Sequence, residues 1–95
     1  ILLKGSRCVV SDGERVKVNR TGNPGMTVGG TGDVLAGLAA AFLAWGSSPF
    51  RAGAAASYVN GVAGDLAYRE KGFHMVATDL IEKLPEALKP FDRLA

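Results

Sequence analysis

The chain has 95 residues, of which 47% are hydrophobic, and its formal net charge is +2. These values suit one small globular domain. The basic residues are scattered and form no stripe interleaved with aromatic residues, so we expect no nucleic-acid partner. The longest run of low charge, residues 34–50, is shorter than the roughly 20 residues that a membrane span needs, so we expect no membrane association.

Cysteine usage bears on location and on redox chemistry. The chain contains one cysteine, Cys8, which leaves no partner for an internal disulfide and no second thiolate for a zinc site. This composition fits a reducing compartment, and we expect a cytoplasmic protein. Because Cys8 lies in a strand-like run, it is interpreted as a small buried hydrophobic residue rather than a reactive thiol.

The N-terminal part of the chain predicts β-structure. Residues 1–3 form a continuous apolar run before a polar turn, a pattern that fits a strand buried on both faces, as in a parallel sheet. Asp12-Gly13 separates two strand-like stretches, residues 7–11 and residues 14–19, and therefore predicts a β-hairpin.

A glycine-rich segment follows the hairpin and is the strongest candidate for a functional site. It reads Gly22-Asn23-Pro24-Gly25-Met26-Thr27-Val28-Gly29-Gly30-Thr31-Gly32-Asp33. Glycine allows the backbone to turn through positive φ and to approach a ligand closely. A helix that begins at the end of this segment would direct unpaired N–H groups and the positive end of its dipole at the loop. The segment therefore predicts a phosphate site with a carboxylate beside it.

Two long helices are predicted after this loop. The first spans residues 31–45 with Thr31 as N-cap. It is apolar nearly all round, which indicates burial in a body larger than these residues supply. The second spans residues 49–70, with Ser48 as N-cap, proline at the first position and glycine at the C-terminal end.

A third helix is predicted near the C-terminus. It begins at Thr78-Asp79, which places a cap and an acidic residue in the first turn. Pro85 falls inside its apolar pattern, so we expect a kink or a break there.

The glycine-rich segment and its flanks resemble a known family. Gly29-Gly30-Thr31-Gly32-Asp33 at a helix start resembles the G-x-G-D element of the ribokinase-like superfamily. The longer string, residues 21–26 with residues 29–37, resembles the ADP- or ATP-dependent NAD(P)H-hydrate dehydratases, which are carbohydrate-kinase-like enzymes of nicotinamide repair. Three further stretches agree with that family: Leu3-Lys4-Gly5, Gly61-Val62-Ala63-Gly64-Asp65, and Thr78-Asp79-Leu80-Ile81 with Leu84-Pro85.

The resemblance covers nearly the whole chain and implies a fold. It corresponds to the C-terminal third of the family. The implied fold is α/β, the C-terminal part of a ribokinase-like three-layer α/β/α domain, with a strand, a β-hairpin, the glycine-rich loop and three helices. Residues 1–95 would then belong to one domain whose first βα units are missing from this sequence. We also expect a homo-oligomer, because the apolar helices need a partner layer.

The resemblance also implies an activity. The family phosphorylates the ring hydroxyl of hydrated NADH or NADPH and then eliminates phosphate, which restores the dinucleotide. The phosphoryl donor is ADP, or ATP in eukaryotic members, and the N-P-G-M form of the loop favours ADP. Mg²⁺ is expected to bridge the phosphates, although no carboxylate pair in the sequence stands out as its site. Many members carry or bind an epimerase domain.

Particular residues match the functional positions of the family. Asp33 matches the catalytic aspartate that contacts the hydrate and accepts its hydroxyl proton. Gly30, Thr31 and Gly32 match the anion hole, in which backbone N–H groups stabilise the transferring phosphoryl group. The positions that match nucleotide contacts are, besides the anion hole, Lys4, Gly5, Ser6, Arg7, Cys8, Asn23, Pro24, Gly25, Met26, Thr27, Val28 and Gly29.

Other readings of the same residues stay open at this point. An aspartate in the first turn of a helix stabilises it by about 0.3–1 kcal/mol through the dipole, with no chemistry. The chain could also belong to another ribokinase-like kinase of a small alcohol. Thiamin-pathway kinases of this fold commonly have cysteine at the position of Asp33, and sugar kinases tend to show G-A-G-D followed by Ala-Phe. A third alternative is a nucleotide-binding fragment without turnover.

Some further side chains have simpler interpretations. Asp65 is predicted to pair with Arg69 one helical turn later. His74 is predicted to lie in a loop or at the surface, since one histidine alone makes no metal site. Phe42 and Trp45 lie at helical spacing and are predicted to be core residues. The two tyrosines, Tyr58 and Tyr68, either border the nucleotide base or pack against other side chains.

Overall fold

In the computed structural model, three short strands are followed by three helices, and the residues described are 1–5 and 7–91. Ser6, a predicted nucleotide contact, lies outside the described residues. The predicted order of strand, hairpin, glycine-rich loop and three helices is confirmed. The strands are β1 (Leu2–Leu3), β2 (Val9–Ser11) and β3 (Val16–Val18), the helices are α1 (Thr31–Ala44), α2 (Pro49–Lys71) and α3 (Ala77–Leu88), and 3₁₀ turns span Pro24–Thr27, Gly72–His74 and Lys89–Phe91.

The sheet is antiparallel, in the order β1-β2-β3. Leu2 pairs with Val10 and Leu3 with Val9, so the prediction of a parallel strand buried on both faces is wrong. The two leucines point to opposite faces of the sheet, as the strand period of two requires. Leu2 packs against the core, whereas Leu3 is 65% exposed. An apolar run of three residues therefore does not identify a doubly buried strand.

The predicted hairpin is present, but its connection is longer than a two-residue Asp-Gly turn. Ser11 pairs with Val16, so the connection comprises residues 12–15. The Asp12 carboxylate holds it together, since Oδ1 accepts hydrogen bonds from the backbone N–H groups of Glu14 (2.9 Å) and Arg15 (2.7 Å). Oδ2 accepts from the Arg15 guanidinium at 3.0 Å. These bonds favour the ionised carboxylate and lower the pKa of Asp12 from 3.8 to about 2.

This lowered pKa predicts an acid-sensitive hairpin. The stabilisation from the Asp12 carboxylate should be complete above pH 3.8, the ordinary pKa, and lost as the pH falls through about 2. A titration of the Asp12 side chain by nuclear magnetic resonance should give a midpoint near the lower value. The Asp12→Asn variant keeps an oxygen acceptor but cannot titrate, so it should lose less stability over this pH range. A midpoint near the ordinary value would contradict the prediction.

The N-cap of helix α1 lies one residue earlier than the sequence predicted. The N-cap is Gly30, whose φ of +95° lies in the left-handed region, so the prediction of Thr31 as N-cap is wrong. A side chain at position 30 would be strained in this conformation. The Thr31 hydroxyl instead donates hydrogen bonds to the backbone oxygens of Met26 (2.7 Å) and Val28 (3.2 Å). It thereby ties the glycine-rich loop to the start of the helix.

The other two helices have well-defined ends. The predicted Ser48 cap is confirmed, since the Ser48 hydroxyl accepts from the N–H of Arg51, and Gly72 follows the last residue of α2. Helix α3 begins at Ala77, and it continues through Pro85 to Leu88, so the predicted break is absent. Pro85 lies near the end of the helix, where the loss of one backbone hydrogen bond is offset by packing of the apolar face on α2.

Helix α2 is the central element of the core. Ala56, Val59 and Ala63 of α2 pack with Leu35 and Leu38 of α1. A second cluster joins α2 to the start of α3: Ala67, Met75 and Leu80.

The two aromatic residues near the end of α1 have different environments. Phe42 packs against the core as predicted. Trp45 is 83% exposed, so its prediction as a core residue is wrong. It lies at the C-cap of α1 and contacts Phe42 edge to face, with 6.3 Å between ring centroids. Over residues 1–5 and 7–91, none of the helices has both the length and the hydropathy to cross a bilayer.

Candidate functional site

The glycine-rich loop lies directly on helix α2. At Gly61, a Cβ atom would come within 2.7 Å of the carbonyl carbon of Thr21, so only glycine allows this close approach of two backbones. A Cβ at Gly64 would likewise come within 2.7 Å of Met26 Cγ. The small residues of α2 thus form a shallow notch that receives the loop.

Asp65 fixes the loop in this notch. Its Oδ2 accepts from the backbone N–H of Gly22 at 3.1 Å, and its Oδ1 accepts from Nδ2 of Asn23 at 2.9 Å. The predicted pairing with Arg69 is wrong, because both carboxylate oxygens face the loop instead. Helical spacing indicated only the neighbour on the same helix. The useful signal was the pair of small residues Gly61 and Gly64, since they let the loop approach α2 closely enough to bring its donors within reach of the carboxylate.

The loop itself contains a 3₁₀ turn, Pro24–Thr27, that the sequence did not predict. Asn23 caps the turn, since its side chain accepts from the N–H of Gly25 at 3.0 Å. Its amide also donates to the backbone oxygen of Gly64 at 3.1 Å. Because Asn23 is joined both to the turn and to α2, the loop is held in place rather than simply exposed.

A cavity of about 700 Å³ opens beside the loop. Its volume falls in the range of small-molecule sites. It brings together three segments that are separate in sequence: the stretch after β1, the glycine-rich loop and the start of α1. The predicted site residues that line it are Lys4, Gly5, Arg7, Cys8, Asn23, Pro24, Met26, Thr27, Thr31 and Gly32.

Four predicted nucleotide contacts do not line this cavity: Gly25, Val28, Gly29 and Gly30. Gly25 is buried, and a Cβ there would meet the side chains of Phe73 and Met75 at 3.1 and 3.3 Å. Gly25 lets the 3₁₀ turn pack against the segment between α2 and α3. Gly30 provides the left-handed N-cap of α1.

Positive charge converges at the start of α1. The Lys4 side chain lies over Gly32, so close that a Cβ at position 32 would overlap the ammonium group. The N–H groups of Asp33 and Val34 are bonded to the carbonyl of Gly30 at 3.1 and 3.2 Å. The two preceding N–H groups, at the first and second helical positions, have no intrahelical acceptor. These donors, the helix dipole and the ammonium group together form a candidate anion site.

Asp33 lies beside this anion site and not inside the cavity. It is the third residue of α1, and its side chain is exposed. Gly32 lines the cavity and Asp33 follows it directly. The carboxylate is thus accessible to a second molecule that approaches the start of α1 from outside the cavity.

The remaining candidates lie elsewhere. His74 is exposed in the 3₁₀ turn after α2, as predicted. Tyr58 packs edge to face on Phe91, and Tyr68 packs on Phe73, so the tyrosines are packing residues rather than walls of the cavity. In the part of the chain that the structure describes, no three His, Cys, Asp or Glu side chains are grouped so that they could hold a metal ion.

A glycine-rich loop and a lysine facing a helix N-terminus are features typical of phosphate-binding sites. Comparison with known proteins identifies the family of the chain. The profile of the NAD(P)H-hydrate dehydratase family matches residues 1–86. The chain therefore belongs to the NAD(P)H-hydrate dehydratase family.

Individual relatives agree with this assignment. The bifunctional NAD(P)H-hydrate repair enzyme Nnr of Pyrobaculum aerophilum is 60% identical over 91 residues, which is 96% of this chain and 18% of that protein. The ADP-dependent (S)-NAD(P)H-hydrate dehydratase of Cenarchaeum symbiosum is 56% identical over 94 residues, 99% of this chain and 33% of that protein. The chain thus spans a third or less of the length of these relatives.

The fold agrees with a solved structure as well. Bacillus subtilis YxkO, a member of the UPF0031 family, superposes with a TM-score of 0.86 and 34% sequence identity. The match covers 96% of this chain and 35% of the YxkO chain. The predicted α/β fold class is confirmed by this likeness.

Proposed function

We propose that this chain carries the nucleotide-binding part of an ADP-dependent NAD(P)H-hydrate dehydratase. The observation that carries the proposal is the convergence of Lys4, the glycine-rich loop and the N-terminus of α1 on one cavity. Membership of the family supports the choice of hydrated NADH or NADPH as the substrate. The relative from Cenarchaeum symbiosum is ADP-dependent by name, which supports ADP over ATP as the phosphoryl donor.

The proposed reaction has two steps, phosphorylation of the hydrate and elimination of phosphate. The ring hydroxyl oxygen of the hydrate attacks the terminal phosphorus of ADP, the bond from that phosphorus to the bridging oxygen breaks, and AMP leaves. The hydroxyl proton passes to the carboxylate of Asp33, which acts as the general base. The carbon–oxygen bond of the phosphate ester then breaks, and inorganic phosphate leaves the ring with the bonding electron pair. The adjacent carbon gives its proton to solvent water, and its C–H electron pair forms the ring double bond.

The start of α1 supplies the electrostatic part of catalysis in this proposal. Backbone N–H groups of Thr31 and Gly32 face the negative charge that develops on the transferring phosphoryl group, and Gly30 shapes this turn. The Lys4 ammonium adds positive charge at the same place. Arg7, Cys8 and the residues of the loop that line the cavity contact the rest of the nucleotide. The roles of Ser6, Gly25, Val28 and Gly29 as nucleotide contacts stay predictions.

The larger context of the chain is also a proposal. Residues 1–95 would form the C-terminal part of one ribokinase-like domain, and βα units elsewhere in the full-length protein would complete the substrate side. Bifunctional relatives are compatible with an attached epimerase. A homo-oligomer, a cytoplasmic location and a need for Mg²⁺ stay predictions.

The decisive experiment is a repair assay on the full-length protein. Hydrated NADH is incubated with ADP, with ATP or without nucleotide, and the return of reduced-nicotinamide absorbance is followed. We expect recovery with ADP, less with ATP and none without nucleotide. The proposal fails if no recovery occurs and a sugar or pyrimidine alcohol is phosphorylated instead, which would identify another ribokinase-like kinase. Nucleotide binding without any turnover would identify an inert binding protein.

The role of Asp65 gives a separate prediction. In the Asp65→Ala variant, the N–H of Gly22 and the amide of Asn23 lose their charged acceptor, so the loop is held less firmly before nucleotide binds. We expect the Km for ADP to rise about tenfold or more while kcat falls much less, because hydrogen bonds to a charged group contribute about 1.5–3 kcal/mol. Steady-state kinetics of the full-length protein measure both values.

The matched control for this prediction is Arg69→Ala on the same helix. Arg69 is exposed, and its neighbour on the helix, Asp65, bonds to the loop instead. The control should therefore leave Km within about twofold, as is usual for exposed residues. An unchanged Km for ADP in Asp65→Ala would mean that the loop is held in place without this carboxylate.

A further inference from the structure

Asn60 has a buried polar group without a partner in the wall of the cavity. It lies on α2 between Ser57 and Gly61, which line the same cavity. The residue is 7% exposed. Its Oδ1 atom is buried and has no hydrogen-bond partner among residues 1–5 and 7–91. More than nine in ten buried polar groups in native proteins are paired, so such an oxygen needs an explanation.

Neighbouring polar groups in the same wall are satisfied. Asn19 donates from Nδ2 to the backbone oxygen of Ser57 at 3.0 Å, and its Oδ1 accepts from the Thr21 hydroxyl at 3.0 Å. The Ser57 hydroxyl donates to the backbone oxygen of Gly53 at 3.0 Å. The unpaired Oδ1 of Asn60 is therefore not a general feature of a loosely packed wall. An apolar residue of the same size would avoid the cost of an unpaired buried oxygen.

The chemistry of the free atom restricts what it can bind. A carbonyl oxygen accepts hydrogen bonds and cannot donate them. Ionised phosphate oxygens are also acceptors only, so they cannot pair with Oδ1 of Asn60. The part of the cavity suited to phosphate is the start of α1, where Lys4 lies over Gly32. The group that pairs with this oxygen must therefore carry an N–H or O–H, and in a nucleotide such groups belong to the nucleoside.

We propose that Asn60 is a specificity residue whose side-chain oxygen accepts a hydrogen bond from the nucleoside of the bound nucleotide, either from an amino group of the base or from a ribose hydroxyl. This inference rests on the proposed function, in which the cavity binds ADP. Asn60 then distinguishes a nucleotide whose nucleoside has a hydrogen-bond donor at the matching position from one that lacks this donor. A site that leaves its own acceptor unpaired without the ligand discriminates strongly against analogues that lack the donor.

The test compares the full-length protein with its Asn60→Leu variant by calorimetric titration. The ligands are ADP, inosine diphosphate, which lacks the amino group of the base, the two deoxy-ADP isomers, each of which lacks one ribose hydroxyl, and inorganic pyrophosphate. We expect the Kd of the variant for ADP to rise about tenfold, since one hydrogen bond is lost. The Kd for pyrophosphate should not change. In the wild type, the analogue without the donor should bind about tenfold more weakly than ADP, and this difference should vanish in the variant.

A stability measurement and a control variant test whether the substitution at Asn60 acts through the ligand or through the fold. The melting temperature of Asn60→Leu should equal or exceed that of the wild type, because the unpaired oxygen is removed. A lower melting temperature would identify the amide as a structural group and would contradict the proposal. Tyr58→Phe removes a hydroxyl on α2 from a side chain that packs on Phe91 and does not line the cavity, so its Kd for ADP should match the wild type. An equal loss in both variants would indicate a general disturbance of α2 and would also contradict the proposal.

The results that would contradict the inference about Asn60 differ from those that would contradict the proposed function. If the wild type binds ADP and the variant has the same Kd, the inference about Asn60 is wrong and the proposed function stands. If all analogues bind the wild type as tightly as ADP, no donor of the nucleoside contributes to binding. The inference is then wrong, whatever Kd the variant has for ADP. If the wild type binds no ADP, the proposed function fails and this inference fails with it.

Discussion

The Asp33→Ala variant of the full-length protein should lose about 10²-fold or more in kcat for the repair of hydrated NADH. The carboxylate is the proposed acceptor of the hydroxyl proton, and without it the attacking oxygen must lose its proton to water. Asp33 is exposed and does not line the cavity. The Kd for ADP should therefore stay close to the wild-type value. Steady-state repair kinetics and nucleotide titration separate the two effects.

The helix dipole offers a competing explanation for Asp33 that makes a different prediction. An aspartate in the first turn of α1 stabilises the helix by about 0.3–1 kcal/mol, and its loss would lower stability slightly without affecting chemistry. Glu82→Ala, which removes another exposed carboxylate, serves as the control and should keep wild-type kcat. If Asp33→Ala also retains near-wild-type activity, Asp33 is a helix-stabilising residue and not the base.

Local sequence patterns predicted the elements of this fold well. The order of the elements, the Ser48 cap and the glycine after α2 follow from short-range backbone chemistry, and they are confirmed. The convergence of the stretch after β1 with the glycine-rich loop was implied by the family resemblance, and the structure brings ten of the predicted residues to one cavity. Position in the sequence alone could not place Lys4 over the start of α1.

Features that depend on tertiary contacts were the ones predicted wrongly. Asp65 had a plausible partner one turn along its own helix, and only the notch at Gly61 and Gly64 brings the loop close enough to compete. Thr31 has the side chain of a good N-cap, yet the backbone turns at Gly30 instead. Trp45 follows the apolar spacing of α1 but lies at its C-terminal cap, with no element packed over it among the described residues. For Asp65 and Trp45, a long-range approach or its absence overrode a local preference, whereas for Thr31 the hydrogen bonds to Met26 and Val28 within the loop did so.

The Gly61→Ala variant should lower the free energy of unfolding by about 1–3 kcal/mol, because overpacking of a tight contact costs about that much. The added Cβ would lie 2.7 Å from the carbonyl carbon of Thr21, so backbone and not a flexible side chain must move. The gain in helix propensity from glycine to alanine, up to about 1 kcal/mol, opposes this loss only in part. Chemical denaturation of the full-length protein measures the net change.

A matched control is available in α1, at Gly37, where an added Cβ has no atom within 4 Å. Gly37→Ala should therefore show the propensity gain alone and raise the free energy of unfolding by about 0.5–1 kcal/mol. The opposite signs at two helical glycines separate close approach from intrinsic propensity. Because the Thr21 segment leads into the glycine-rich loop, Gly61→Ala should also weaken ADP binding, whereas Gly37→Ala should not. Stabilisation by Gly61→Ala with unchanged ADP affinity would show that the notch on α2 does not position the loop.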